Sequence, residues 1–401
     1  MASLFAGKNI VIGVTGSIAS FKVAGWVSDL AKEEAQVSVV MTEAAKRFIT
    51  PLTFSALSGL DVHCDMFAQG SAESMHHISL GREADLLVIA PASANTIAKL
   101  AAGICDNLLT TSVLAARCAV VVFPAMNSRM YAHPATRNNI AKLREMGYRV
   151  IEPDCGTMAC KEEGQGRLVE WDYAREILAQ SLAPQDFGGV RMVVTAGPTR
   201  EAIDPARFLS NRSSGKMGYC LARCGARRGA EVVLVSGPTT LETPPGVKKI
   251  SVQSAQEMYE AVVAQAQQSQ VIIKAAAVAD YRPEKVYEHK VKKGSVESSL
   301  RLVSTTDILK SLGTRKSPDQ VLVGFAAESR NLHEEGKKKL IAKNLDLIAI
   351  NDISKPQTGF EVDTNQVVLL DNQGYTQLPH TTKLHTADLI LDRILTLLKD
   401  R

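Results

Sequence analysis

Two cysteines stand in the stretch DCGTMACKEEGQGR, residues 154–167. Most cysteines in soluble proteins are small buried apolar residues. Cys160, however, is followed by Lys161, Glu162, Glu163 and Gly164, a loop-like setting. A thiol placed there can be a metal ligand, half of a disulfide, a catalytic acid or inert. The C-x4-C spacing is looser than that of zinc knuckles, and no second Cys/His pair lies close by, which disfavours a metal. Seven scattered cysteines do not form a disulfide framework. They imply a reducing, cytoplasmic setting, where a free thiol stays available for chemistry. An unperturbed thiol titrates at about 8.5 and can give up a proton near neutrality. Gly156, Gly164 and Gly166 suit a flap that moves.

Other groups could share a site with such a thiol. His76 and His77 precede ISLGREADLLVIA, and Asn127 lies in PAMNSRMY, where it could equally cap a helix. GVTGSIASFK places Gly13 and Gly16 in a G-x-x-G turn. That fails the dinucleotide pattern G-x-G-x-x-G and fits a mononucleotide phosphate or an ordinary tight turn. Thr42 and the small polar residues of APASANT complete this set.

A second set lies downstream. SSGKMG resembles a P-loop but is not one, because Ser210 and Met217 stand where a glycine and a Ser/Thr are required. Asp280 ends AAAVAD; Lys290, Lys292 and Lys293 cluster in HKVKK; Lys337, Lys338, Lys339 and Lys343 follow. A solvated basic face is the plain reading of such lysines, and a phosphate site the functional one.

The elements that must carry these groups read as α/β. NIVIGVTGS, QVSVVMT, DLLVIAPAS, AVVVFPAMN and YRVIEPD are short apolar runs separated by amphipathic stretches. They predict a parallel sheet buried on both faces, with ligands at the carboxyl ends of its strands. SLAPQDFGG, residues 181–189, breaks the pattern, which restarts at VRMVVTAGPTR. Two domains are expected, 1–189 and 190–401. The second ends in a hairpin around Asn372-Gln373-Gly374 that adds antiparallel strands. The fold class is thus two tandem Rossmann-like domains, the first with a flavodoxin-like parallel sheet.

Composition excludes several alternatives. At 45% hydrophobic and 22% charged, the chain should be globular. A net charge of +4 and 5% aromatic residues do not suit a nucleic-acid binder. No apolar run is long enough to span a bilayer, and no secretory leader is legible.

GVTGSIASFK, MTEAA, MHHISL, APASANTIAKLAAGICDNLL, PAMNSRMY and CGTMACKEEGQGRL together resemble the flavin-dependent cysteine decarboxylases of the homo-oligomeric flavoprotein class. The resemblance implies FMN as cofactor, with Gly16, Ser17, Ile18, Thr42, Ala92, Ser93 and Asn95 around it. It implies His77 as catalytic base, Asn127 as the ligand of the substrate carboxylate and Cys160 as proton donor. TAGPTREAIDPARFLSNRSSGKMG, AAAVADYR, HKVKK, GFAAES and NLDLIAIND resemble the phosphopantothenate–cysteine ligases. That likeness implies CTP, Mg2+, 4'-phosphopantothenate and L-cysteine as ligands. Asn211 and Arg207 would hold an acyl-cytidylate, and Lys290 would serve the cysteine step. Ala275, Ala276, Asp280, Lys290, Thr306, Asp307, Ile308, Leu309, Phe325, Lys339 and Lys343 would contact the nucleotide. TTDIL at 305–309 departs from the Asn-Pro-Asp-Ile pattern of those ligases. Decarboxylase trimers and ligase dimers would combine into a dodecamer. The rivals are a flavin or NAD oxidoreductase, opposed by the failed dinucleotide pattern, and a regulatory phosphatase-binding flavoprotein. The latter typically carries an acidic tail, whereas this chain ends in LTLLKDR.

Overall fold

The computed structural model describes residues 4–67, 76–158, 161–291, 299–328, 331–352 and 362–401. The chain divides into two compact units, Met1–Ala183 and Pro184–Arg401. Residues 184–189 go with the second unit because Phe187 is fully buried in its core.

In the first unit, β1 (Asn9–Val14), β2 (Gln36–Met41), β3 (Val62–His63), β4 (Leu86–Ala92), β5 (Ala119–Pro124) and β6 (Arg149–Val150) form one sheet. Their order is β3-β2-β1-β4-β5-β6, and every pairing is parallel. Without the two-residue edge strand β3, the order is 2-1-3-4-5, that of flavodoxin-like sheets. The apolar runs are continuous because both faces are covered. Ile10, Ile12 and Val14 enter one core with Trp26 and Phe123, and Val11, Leu87 and Ile89 enter the other. Trp26 meets Phe123 edge-on at 5.2 Å between ring centroids, a favoured aromatic geometry.

Beyond the sheet, β7 (Asp154–Thr157) and β8 (Glu163–Arg167) form an antiparallel hairpin. The sequence reads this stretch as a loop; it pairs through its backbone although it offers no alternating apolar side chains.

In the second unit, β9 (Arg191–Ala196) starts the sheet and β10 (Arg200–Asp204) pairs β11 (Arg207–Ser210) as a hairpin. Then come β12 (Glu231–Ser236), β13 (Val247–Ser251), β14 (Val271–Lys274), β15 (Tyr281–Pro283), β16 (Leu302–Ser304), β17 (Val321–Glu328) and β18 (Leu347–Asp352). The chain continues with β19 (Thr364–Asn365), β20 (Val367–Asp371), β21 (Gly374–Gln377) and β22 (Thr381–Thr382). The sheet order is β13-β12-β9-β14-β17-β18-β20-β21. It is parallel from β13 to β18, and β20 and β21 are antiparallel additions. The expected C-terminal hairpin is β20–β21, turning at residues 372–373. The final helix, Lys383–Lys399, is capped by Thr382, which accepts from His385 N.

Both units thus reverse strand order beside their first strand, between β1 and β4 and between β9 and β14. Such crossover points leave a crevice at the carboxyl ends of the strands.

Candidate active sites

The first crevice is stitched by Thr15, which is fully buried. Its Oγ1 donates to Pro91 O at 2.6 Å and accepts from Ser93 N at 2.9 Å. The loops after β1 and β4 are thereby tied together. Ser93 caps the helix Ala94–Ala102 by accepting from Thr96 N. Gly16 passes so close to the loop after β2 that a Cβ would lie 2.6 Å from Ala44 Cβ.

A cavity of about 540 Å³ opens beside these loops. Ser17, Ile18, Ala19, Phe21 and Lys22 line one side; Ala125, Met126, Asn127, Met158 and Leu168 line another. The lining combines apolar walls with a few polar groups, as cofactor sites do. Of the residues expected around FMN, Ser17 and Ile18 line this cavity. Gly16, Thr42 and Ser93 belong to the neighbouring loops, Asn95 lies in the first turn of the helix Ala94–Ala102, and Ala92 is fully buried, so it has only backbone to offer.

Asn127 is fixed from two sides. Its Oδ1 accepts from Arg129 N at 2.9 Å, capping the helix Ser128–Ala132, and its Nδ2 donates to Glu162 Oε2 at 2.8 Å. The hairpin packs on this segment. Met126 N donates to Gly166 O at 3.0 Å, and a Cβ on Gly166 would lie 2.2 Å from Met126 O. Lys22 and Arg167 also line the cavity and share Glu170 as counter-ion, with Lys22 Nζ 2.9 Å from its Oε1. Sequence reasoning missed this pair, whose members are far apart in the chain. Cys160 lies outside the described residues. His77 sits half-buried on the helix His76–Glu83 and does not line the cavity.

The second crevice repeats the device. Thr195 is fully buried, and its Oγ1 accepts from Ala276 N at 3.0 Å; Thr199 Oγ1 accepts from Ala279 N at 3.0 Å. Gly218 lets the helix Lys216–Arg227 approach β9 so closely that a Cβ would lie 2.8 Å from Thr195 O. The helix N-terminus is thereby placed at the crevice, where its free N–H groups favour an anion.

A cavity of about 410 Å³ results. Asn211, Ala275, Ala276, Asp280, Phe325 and Lys339, all expected from the sequence, line it. So do Ser213, Ser214, Lys216, Lys274, Asn351 and Lys383, which were not expected. Asn211 Nδ2 donates to Val278 O at 2.9 Å, which fixes its side chain at the cavity wall. Lys343 pairs with Asp307 at 3.0 Å, and Asp307 caps the helix Ile308–Arg315. Thr306 is exposed, whereas Ile308 and Leu309 are buried in the core, so only their backbone could meet a ligand. Burial, reinforced by the charge of Lys343, pushes the Lys274 amine down to about 8. Burial also lowers Lys383.

Thr306, Asp307, Ile308, Leu309 and Lys343 do not line this cavity, and Arg207 and Lys290 stand apart from it as well. Arg207 binds Asp204 with Nε at 2.9 Å and donates to Val291 O, and its pairing holds the Asp204 carboxyl far below the usual range. Lys290 is exposed and does not line the cavity. Lys292 and Lys293 lie outside the described residues. No helix among the described residues is long and apolar enough to cross a membrane, and none of their His, Cys, Asp or Glu side chains group into a metal-binding cluster.

Comparison with known proteins follows the same division. A family model described as flavoprotein matches residues 4–183, and one described as DNA/pantothenate metabolism flavoprotein C-terminal domain matches residues 187–398. The chain is 45% identical over 397 residues to the coenzyme A biosynthesis bifunctional protein CoaBC of Bacillus subtilis (strain 168), covering 98% of each. It is 43% identical over 395 residues to that of Escherichia coli (strain K12), covering 98% of this chain and 97% of the other. A solved structure of the C-terminal domain of such a protein is 44% identical, with a TM-score of 0.47, and covers 54% of this chain and 100% of that one.

Proposed function

Because the chain belongs to the coenzyme A biosynthesis bifunctional proteins, we propose that its two crevices catalyse consecutive steps. The second unit joins 4'-phosphopantothenate to L-cysteine with CTP. The first decarboxylates the resulting 4'-phosphopantothenoylcysteine to 4'-phosphopantetheine with FMN. The observation that carries this reading is the contrast between the linings: mostly apolar walls with one fixed asparagine and two cations that share Glu170 in the first, four lysines with one fixed asparagine in the second.

The ligase chemistry is acyl activation. The 4'-phosphopantothenate carboxylate attacks the α-phosphorus of CTP, and pyrophosphate leaves. The cysteine amine then attacks the acyl carbon, and CMP leaves. Charge gathers on phosphate oxygens in the first step, which is why Lys216, Lys274, Lys339 and Lys383 face it. Asn211, held by Val278 O, orients the acyl-cytidylate. Arg207 and Lys290, which stand off the cavity, act in this reading through the neighbouring segment that carries Val291. Mg2+ arrives on the triphosphate and needs one or two protein carboxylates, a role that suits Asp280.

The first cavity fits a flavin by its apolar walls and by the small-residue loop at Gly16 and Ser17. The chemistry FMN supplies when bound is oxidation and re-reduction of the thiol-bearing carbon, so that electrons left by the departing CO2 have an acceptor. Asn127 holds the substrate carboxylate, and Cys160 returns a proton. His77 acts as base from an FMN site lying between subunits, which accounts for its absence from the cavity of its own chain. Trimers of the first unit and dimers of the second then build a dodecamer. A reducing, cytoplasmic setting belongs to the same reading; the six described cysteines are all free thiols.

The test is separate loss of each activity. Asn211→Asp should lower ligation roughly a hundredfold or more, the scale of losing one positioned donor, while decarboxylation of supplied 4'-phosphopantothenoylcysteine persists. Loss of both activities would contradict two separate sites.

A further inference from the structure

The bond from Asn127 to Glu162 puts a carboxylate of the protein itself on the residue assigned to the substrate's carboxylate. The two positions are 35 apart in sequence, so the contact is made by the fold and not by local geometry. Asn127 Oδ1 is committed to Arg129 N, which leaves its Nδ2 as the group that can donate to an anion. Glu162 Oε2 takes that donor at 2.8 Å.

The backbone around Glu162 supports this placement. Glu162 O accepts from Met158 N at 3.0 Å, and Met158 O accepts from Lys161 N at 2.8 Å, which ties Glu162 to the β7 side of the hairpin. The hairpin base is fixed on the opposite side of Asn127. A Cβ on Gly164 would lie 2.8 Å from Ser128 Cβ, and Gly166 is bonded to Met126. Rotation of the exposed Glu162 side chain would break the Oε2 contact and release Asn127 Nδ2.

Nδ2 carries two hydrogens, so a second carboxylate could in principle use the other. It would then stand next to Glu162 with like charge, an arrangement that opposes joint occupancy. We propose that Glu162 is an internal carboxylate that occupies the substrate-carboxylate position on Asn127 when no substrate is bound. The inference rests on the decarboxylase reading of the first unit. An acyl-cysteine carrying a carboxylate displaces Glu162 and takes Nδ2. Once CO2 has left, the product has no carboxylate for Asn127, Glu162 returns, and the product loses that hold. Glu162 thereby biases the site for entry of a carboxylate and exit of the decarboxylated chain.

The experiment uses the full-length, FMN-loaded protein. KM and kcat are measured with 4'-phosphopantothenoylcysteine, and inhibition is measured with 4'-phosphopantetheine. A competitor held by one charge-assisted hydrogen bond lowers apparent affinity by its occupancy, so Glu162→Ala should lower KM about three- to tenfold. The change should be carried by KM rather than kcat, and inhibition by the product should not tighten in step. Glu162→Gln keeps an oxygen for Nδ2 without the charge and should lower KM less. Amide hydrogen exchange at 161–167 in the substrate-free protein should quicken in Glu162→Ala, a readout independent of turnover. A KM that rises with Glu162→Ala would show the residue to be a brace for the hairpin, and an unchanged KM would show the contact to be idle; either overturns the proposal. Wild-type protein that releases no CO2 would instead sink the decarboxylase reading itself.

Discussion

Lys274 illustrates what a single residue contributes and why it was not legible. It closes the strand VIIK, where it reads as the polar end of an apolar run. Only the fold brings it to a cavity with Lys216, Lys339 and Lys383. Its amine is pushed down to about 8, so it is charged at pH 7 and neutral at pH 9. An anionic ligand favours the charged form. Below pH 8 that form is already present; above it, binding requires proton uptake. CTP affinity should therefore fall as pH rises from 7 to 9, by up to about tenfold per unit. Titration calorimetry of wild type and Lys274→Met would check this: the variant should bind more weakly at pH 7 and lose the Lys274-dependent part of the slope. Equal slopes would remove Lys274 from the phosphate site. Cys160 is the converse case. Its motif is legible in the sequence, and its role is tested chemically: Cys160→Ser should release CO2 yet fail to form 4'-phosphopantetheine, and full turnover would refute it as proton donor.

At the scale of elements, both units use the same joint. Thr15 just after β1 and Thr195 near the end of β9 are fully buried and accept a backbone N–H from the segment that follows the strand across the crossover point. Thr195→Val keeps the shape but leaves Ala276 N without its acceptor. A buried N–H so orphaned costs about 1–3 kcal/mol, measurable as a lower denaturant midpoint of the second unit, with weakened CTP binding. An unchanged midpoint would show the bond to be dispensable. The strands themselves were readable, since parallel sheets covered on both faces leave continuous apolar runs. The β7–β8 hairpin was not, because DCGT and EGQGR alternate nothing apolar and are held by backbone bonds and by glycines against Met126 and Ser128. Gly166→Ala would force a Cβ to 2.2 Å from Met126 O. It should lift the hairpin, abolish most decarboxylation and leave ligation intact; decarboxylation at the wild-type rate would show that the docked hairpin is not needed.

The whole molecule couples two sheets that share a parallel six-strand order to two different chemistries; the second adds β20 and β21, and the crevices differ in lining. The sequence exposed that division through its loops: GVTGSIASFK and PAMNSRMY in one half, SSGKMG and AAAVAD in the other. It did not expose which residues share a cavity. His77 and Lys290 stand off the cavities of their own chain, whereas Lys22 and Arg167 line one of them. The most direct test of the account is one incubation of the full-length, FMN-loaded protein with 4'-phosphopantothenate, L-cysteine, Mg2+ and CTP, following pyrophosphate and CO2 together. Both should be released, with pyrophosphate leading and CO2 following only when cysteine is present. Pyrophosphate without CO2, or CO2 from added 4'-phosphopantothenoylcysteine without any ligation, would contradict consecutive chemistry at two sites on this chain.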